Sequence, residues 1–369
     1  MSISPTSNSA SCLPTPARSP ELRPEADKLQ QHPKTQRAGP IAIGALTVLL
    51  VAVILMATLT GKYPVTPGDI LAVVMAKLSG SESSVAPTVD TVVWNVRLPR
   101  VGAGILVGAS LAAAGAVYQG LFRNPLVSPD ILGVSAGASF GAVVGIFLSM
   151  SVLAIQGLAF AGGLAAVALV YAIGSIVRER DPILVLVLTG VAIGALLGAC
   201  VSLLKVLPDP YNQLPAITFW LLGSLASINH ADLLSILPAV IVALVPMVLL
   251  RWRMNLMTLD DEEARALGVE TRWIRIVIVA AATLMTAAAV SISGIIGWIG
   301  LLVPHVARMF VGLSRLLPAS MLIGAAYMVG VDTLARSIAA IEVPLGILTA
   351  AIGAPFFLYL LLTTRRGWQ

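Results

Sequence analysis

Arg97-Leu98-Pro99-Arg100 opens the stretch whose reading decides the fold, and an apolar run of small residues follows as far as Gln119. A polar break comes next, Gly120-Leu121-Phe122-Arg123-Asn124-Pro125-Leu126-Val127-Ser128-Pro129-Asp130, and then glycines at 133, 137, 141 and 145. Both apolar runs are long enough to cross a bilayer. Gly133, Gly137, Gly141 and Gly145 recur at every fourth position, so they share one helix face, where a second helix can approach backbone to backbone. Gly104 and Gly108 form a similar pair in the preceding run. Tight packing alone accounts for such glycines. The order of an arginine entrance, an Asn-Pro break and a glycine ladder is less common.

The rest of the chain shares this character. Hydrophobic residues make up 57% and charged residues 11% of 369, and a soluble domain carries about 25% charged residues. The composition therefore predicts an all-α, polytopic membrane protein. Cys12 and Cys200 are the two cysteines, too few for a disulfide framework or a thiolate metal cluster. A net charge of +5 does not by itself point to nucleic acid. Residues 1–40 are polar with recurrent proline and read as a disordered cytoplasmic tail. No apolar run follows a short basic start, so the tail is not a signal peptide.

Ten spans are expected, at 41–60, 101–119, 131–149, 152–177, 183–205, 234–250, 276–292, 301–311, 319–339 and 345–363, within a membrane domain over 41–366. Residues 67–78 read as a short helix in a loop. Residues 216–226 are apolar but too short to cross, and read as a re-entrant or interfacial helix. Asp130 is placed to cap the third span. An even number of spans puts both termini on one side. Lys62, Lys77, Arg97, Arg100, Lys205 and Arg336 fall on one side and the other seventeen of the 23 basic residues on the opposite side. By the positive-inside rule both termini are cytoplasmic.

Several motifs sharpen the reading. Residues 254–275 form the longest charged segment of the membrane part, a cytoplasmic loop. Within it Asp260 and Glu263 make a capping-box-like start and Gly268 a helix C-cap, which predicts a helix of about two turns between two spans. Two readings of this helix stand: a coupling helix that offers a short, rigid, charged surface to a partner, or an ordinary solvated surface helix. Val303-Pro304-His305-Val306-Ala307-Arg308 and Gly353-Ala354-Pro355 follow later in the chain. A lone histidine near a membrane surface, such as His305, is structural more often than a proton relay. Arg336 follows Asp332 by one turn, which suits a local ion pair.

Together with Arg97–Arg100, Arg123-Asn124-Pro125-Leu126 and Leu132-Gly133, these motifs closely resemble the permease subunits of ABC importers for ferric siderophores, haem and cobalamin (the iron-chelate family of type II importers). The resemblance covers nearly all of 41–366 and leaves out the N-terminal tail. It implies that two permease copies, identical or paralogous, surround one pathway in the cytoplasmic membrane. Two cytoplasmic ATPases bring ATP and Mg, and an extracytoplasmic binding protein delivers cargo. This chain would hold no cofactor or metal of its own. The cargo implied is an iron chelate, a ferric siderophore first, with haem or cobalamin as alternatives. Asp261, Glu262, Glu263, Arg265 and Gly268 would dock on the ATPase, although Arg265 stands where the family's loop has alanine.

The resemblance also implies that Arg97, Arg100 and Arg336 accept carboxylates of the binding protein. Local physics adds to that expectation. Pro99 suits the first turn of a helix, which would put Arg97 and Arg100 at a positive dipole end, at a cost of roughly 0.3–1 kcal/mol each. Residues kept at such a cost call for a partner. Snorkelling to lipid headgroups is the plainer explanation.

Other classes are less well supported. No Gly-x-x-x-x-Gly-Lys-Ser/Thr occurs, so ATP would be bound by another subunit. A His-Glu-x-x-His zinc site is likewise missing from the sequence, which weakens an intramembrane enzyme. An ion-driven secondary transporter would place charges at mid-membrane depth, whereas the span interiors here are nearly free of them.

Overall fold

The computed structural model describes residues 33–81, 83–177, 182–256, 263, 270–339 and 341–363. Regular structure among them is helical: α1 Pro33–Leu59, α2 Pro67–Ser79, α3 Pro87–Leu121, α4 Val134–Phe147, α5 Val152–Ile176, α6 Pro182–Val206, α7 Gln213–Leu222, α8 His230–Leu249, α9 Arg251–Leu256, α10 Thr271–Ser293, α11 Ile299–Phe310, α12 Leu316–Ile338 and α13 Leu345–Thr363. Seven are long and apolar enough to span a bilayer, namely α1 (from Pro40), α3, α5, α6 (Ile183–Leu204), α8, α10 and α12. The shorter apolar helices α4, α11 and α13 complete the expected ten, and α7, ten residues long, is the helix expected not to cross. Of the tail expected to be disordered over 1–40, residues 33–40 are instead helical, as the first turns of α1, and the residues before Pro33 lie outside the described residues.

Helices α3 and α10 form the centre and are mostly buried, whereas α1 is mostly exposed. Small residues permit this. On α3, Gly108 faces Gly324 of α12, and a Cβ on either glycine would strike the other's carbonyl oxygen. Gly104 meets Val329 of α12, and Gly115 meets the Gly300 carbonyl of α11. The predicted ladder works in the same way. Gly137 and Gly141 of α4 lie on the backbones of Gly162 and Leu158 of α5, and Gly145 lies on Ile155.

Proline 304 lies inside α11 and has no N–H to give the Gly300 carbonyl four residues back. Gln119 repairs the gap from α3: its Nε2 donates to Gly300 O at 3.3 Å and to Leu301 O at 3.0 Å.

Two expectations are corrected here. Asp130 does not cap a helix backbone. It lies in a 3-10 turn, Pro129–Leu132, and accepts from the Ser135 hydroxyl, while Gly133, at φ 79°, leads into α4. The left-handed conformation suits glycine, which has no Cβ to clash. The second span also begins earlier than Val101. Its helix runs unbroken from Pro87, with a π-helical stretch at Val92–Arg97 just before Pro99. A π turn widens the backbone ladder and so accommodates a ring that would otherwise crowd the carbonyl four residues back.

Candidate functional site

The three arginines singled out in sequence gather at one end of the bundle. Arg97 and Arg100 are 4% and 6% exposed. Arg97 donates to the carbonyl oxygens of Thr58, Leu59 and Tyr63. Arg336 donates to Ala57 O at 2.7 Å and to Thr333 Oγ1 at 3.3 Å. Ala57, Thr58 and Leu59 are the last residues of α1, whose closing carbonyls have no partner within the helix. Arg97 and Arg336 thus cap a helix C-terminus, where positive charge is favourable.

This reverses the electrostatic part of the expectation. Because α3 is continuous from Pro87, Arg97 and Arg100 are not at a helix N-terminus, and the dipole cost assigned to them does not arise.

Arg100 is a clamp. Its Nε donates to both oxygens of Asp332 on α12 at 3.0 and 2.9 Å, while Nη1 and Nη2 reach the two oxygens of Glu342 at 2.8 and 3.0 Å. One planar guanidinium therefore holds α3, α12 and the loop before α13 together, a use of arginine's fixed fork. Asp332 is buried, and its oxygen lies 3.7 Å from Arg336 Nε. The sequence-adjacent pair is the looser one, since Asp332 is claimed by an arginine 232 positions away. Glu342 keeps 38% of its side chain exposed. The Arg100 guanidinium holds its carboxyl below the usual range.

Glu263 is helical and exposed. Asp261, Glu262, Arg265 and Gly268 lie outside the described residues. The loop is shorter than expected on its far side, because α10 starts at Thr271 and carries Arg272 and Arg275.

A second glycine ladder, Gly190, Gly194 and Gly198 on α6, carries the same four-residue signal. Gly190 packs on Ile131, while a Cβ on Gly194 or Gly198 would meet no atom within 4 Å. Residues Leu188, Val191 and Leu196 around them are 59–60% exposed.

A helical bundle with short apolar helices, a glycine-mediated centre and exposed apolar flanks is the architecture of a polytopic membrane protein. The chain belongs to the FecCD transport family, which it matches over residues 49–363, and it is a permease subunit of an ABC importer. It is 39% identical over 330 residues to a molybdate import permease of Haemophilus influenzae, covering 89% of this chain and 97% of that one. It is 42% identical over 327 residues to a cobalamin import permease of Halobacterium salinarum, covering 87% and 88%. A solved ABC transporter assigned to the metal-chelate type, in an inward-facing conformation, superposes with a TM-score of 0.78 at 37% identity over 88% of this chain and 99% of that one.

Proposed function

We propose that this chain forms the pathway for an iron chelate crossing the cytoplasmic membrane, with both termini cytoplasmic and ATP hydrolysed on partner subunits. The observation that carries the reading is the named cargo of its relatives. Permeases for iron chelatin in Helicobacter pylori and hemin in Yersinia pestis are 41% and 39% identical to it, over 75% and 74% of this chain. The cargo is wider than the siderophore, haem and cobalamin weighed from sequence, because one full-length relative is named for molybdate. An oxyanion is therefore the second reading.

Two copies assemble with two ATPases, and a binding protein delivers cargo. The exposed apolar face of α6 supports self-association. Asp261, Glu262, Glu263, Arg265 and Gly268 dock on the ATPase. Arg97, Arg100 and Arg336 face the binding protein through the half-exposed Glu342, since Arg97 and Arg100 are themselves buried. An incoming carboxylate reaches Arg100 by taking the place of Glu342.

The test is uptake by liposomes holding the permease, its ATPase and its binding protein. Labelled ferric siderophore should enter with ATP, and haem, cobalamin and molybdate more slowly. Molybdate entering fastest would hand the assignment to the oxyanion. No ATP-dependent uptake of any of the four would end the importer reading for these cargoes. Gly268→Pro and Glu263→Arg should lower uptake while the permease still inserts. Normal uptake and ATPase stimulation in both would reduce the loop to a connector.

A further inference from the structure

A groove of about 460 Å³ lies between α5 and α10, lined by Leu164, Val167, Ala168, Tyr171, Ile276 and Thr283 among others. Two small residues, Ala168 and Ala280, open it to the outside. Its floor is apolar to any occupant. The Thr283 hydroxyl there is already engaged by the buried Tyr118 hydroxyl at 3.0 Å.

The groove has a length and a polarity. From Ile276 to Leu284 it follows nine residues of α10, eight steps or about 12 Å at 1.5 Å per residue. That is close to one leaflet of a hydrocarbon core about 30 Å thick. One end is cationic and the other is not. Arg272 is exposed in the first turn of α10, one helical turn before Ile276, and Tyr171 lines the same groove. Trp273, next to Arg272 in the chain and 62% exposed, is the residue type that settles at the headgroup level of a bilayer. Apolar length, aromatic belt and cationic rim follow one another in the order of an anionic phospholipid's tail, glycerol region and headgroup.

We infer that this groove is a binding site for one acyl chain of an anionic phospholipid, with Arg272 at its headgroup. The charge argues for this occupant over a second copy of the chain, whose matching surface would have to bring its own Arg272 to a cationic rim. The inference does not depend on the cargo, on the orientation of the termini or on the docking arginines.

Native mass spectrometry of the purified permease, titrated with phosphatidylglycerol and with phosphatidylcholine, tests it. The anionic lipid should be retained at roughly tenfold lower concentration, and 0.5 M salt should narrow that gap. Arg272→Gln, at an exposed position, should abolish most of the preference and keep the fold, checked by circular dichroism. Ala168→Phe with Ala280→Phe should fill the groove and lose the retained lipid whatever its headgroup. Phosphatidylglycerol with brominated chains should quench Trp273, read as the difference from Trp273→Phe. Equal retention of the two lipids would overturn the inference. So would unchanged retention in the filled variant if it is folded, or a change in its oligomer mass in place of lipid loss.

Discussion

Helices α4 and α6 carry the same signal, glycine at every fourth residue, and use it differently. Along α4 the glycines are consumed inside the chain, against the backbone of α5. Along α6 Gly190 is consumed, and Gly194 and Gly198 face open space. Small residues tell where a backbone can be approached, but not whether the approaching helix belongs to the same molecule. The charges at the arginine end repeat the contrast. Asp332 is closed over by Arg100, whereas Glu342, on the same guanidinium, remains open on one side.

The largest expected effect comes from breaking a closed element. Arg100→Ala leaves Asp332 and Glu342 without their shared cation. Removing one partner of a buried pair costs about 3–5 kcal/mol, so thermal unfolding in detergent should fall steeply. A small change would mean that water or Arg336 replaces the clamp.

Next is Gly141→Leu, which drives a side chain into the Leu158 carbonyl. Overpacking typically costs 1–3 kcal/mol, and a fixed backbone obstacle puts this variant near about 3 kcal/mol. Unfolding of the purified protein measures it. A tolerated leucine would show that α4 and α5 can part freely.

Gly194→Leu with Gly198→Leu should change the stability of the single chain by no more than about 0.5 kcal/mol and reduce self-association in liposomes, measured by chemical crosslinking. Unaltered crosslinking would separate the open half of the ladder from the second copy.

A small, pH-dependent effect is expected of Glu342→Gln. The carboxyl of Glu342 is held below its ordinary value, about 4.3, by Arg100. Its stabilisation is therefore fully present above that ordinary value and is lost as pH falls through the lowered one. The half-exposed position limits it to under about 1 kcal/mol. From pH 6 to 8 the variant should show a constant small deficit, and at acid pH the two unfolding curves should converge. Continued divergence toward acid pH would assign the contact to another group.

Much of the fold was legible in the sequence because its information is local. The end of the span expected at 152–177 and the start of the one expected at 345–363 fall within a residue of helices α5 and α13. The helix expected at 67–78 is α2, with Thr66 and Asp69 forming its capping box. The glycines of α4 and of Gly104 and Gly108 were legible for the same reason, since spacing on one helix fixes a face. What failed was long-range. The sequence offers Asp332 to Arg336 four residues on, and only the packing of α3 on α12 brings Arg100 closer. Pro99 reads as a helix start because the usual α-helix would resent it. The π turn before it is a tertiary accommodation with no local signature. The groove beside Tyr171 is likewise a product of two helices and cannot be read from either one alone.

The reciprocal glycines also constrain how such a chain can evolve. At Gly108 and Gly324, as at Gly137 and Gly162, each residue occupies the space that the other's Cβ would need. Neither can be exchanged while the other stays, and exchanging both at once would enlarge the conflict. A neutral path between two sequences must therefore go around these four positions. Drift is free to rewrite the lipid-facing residues of α1 and α8 while the crossing points stay fixed, and descendants that diverge in cargo would inherit the same central scaffold.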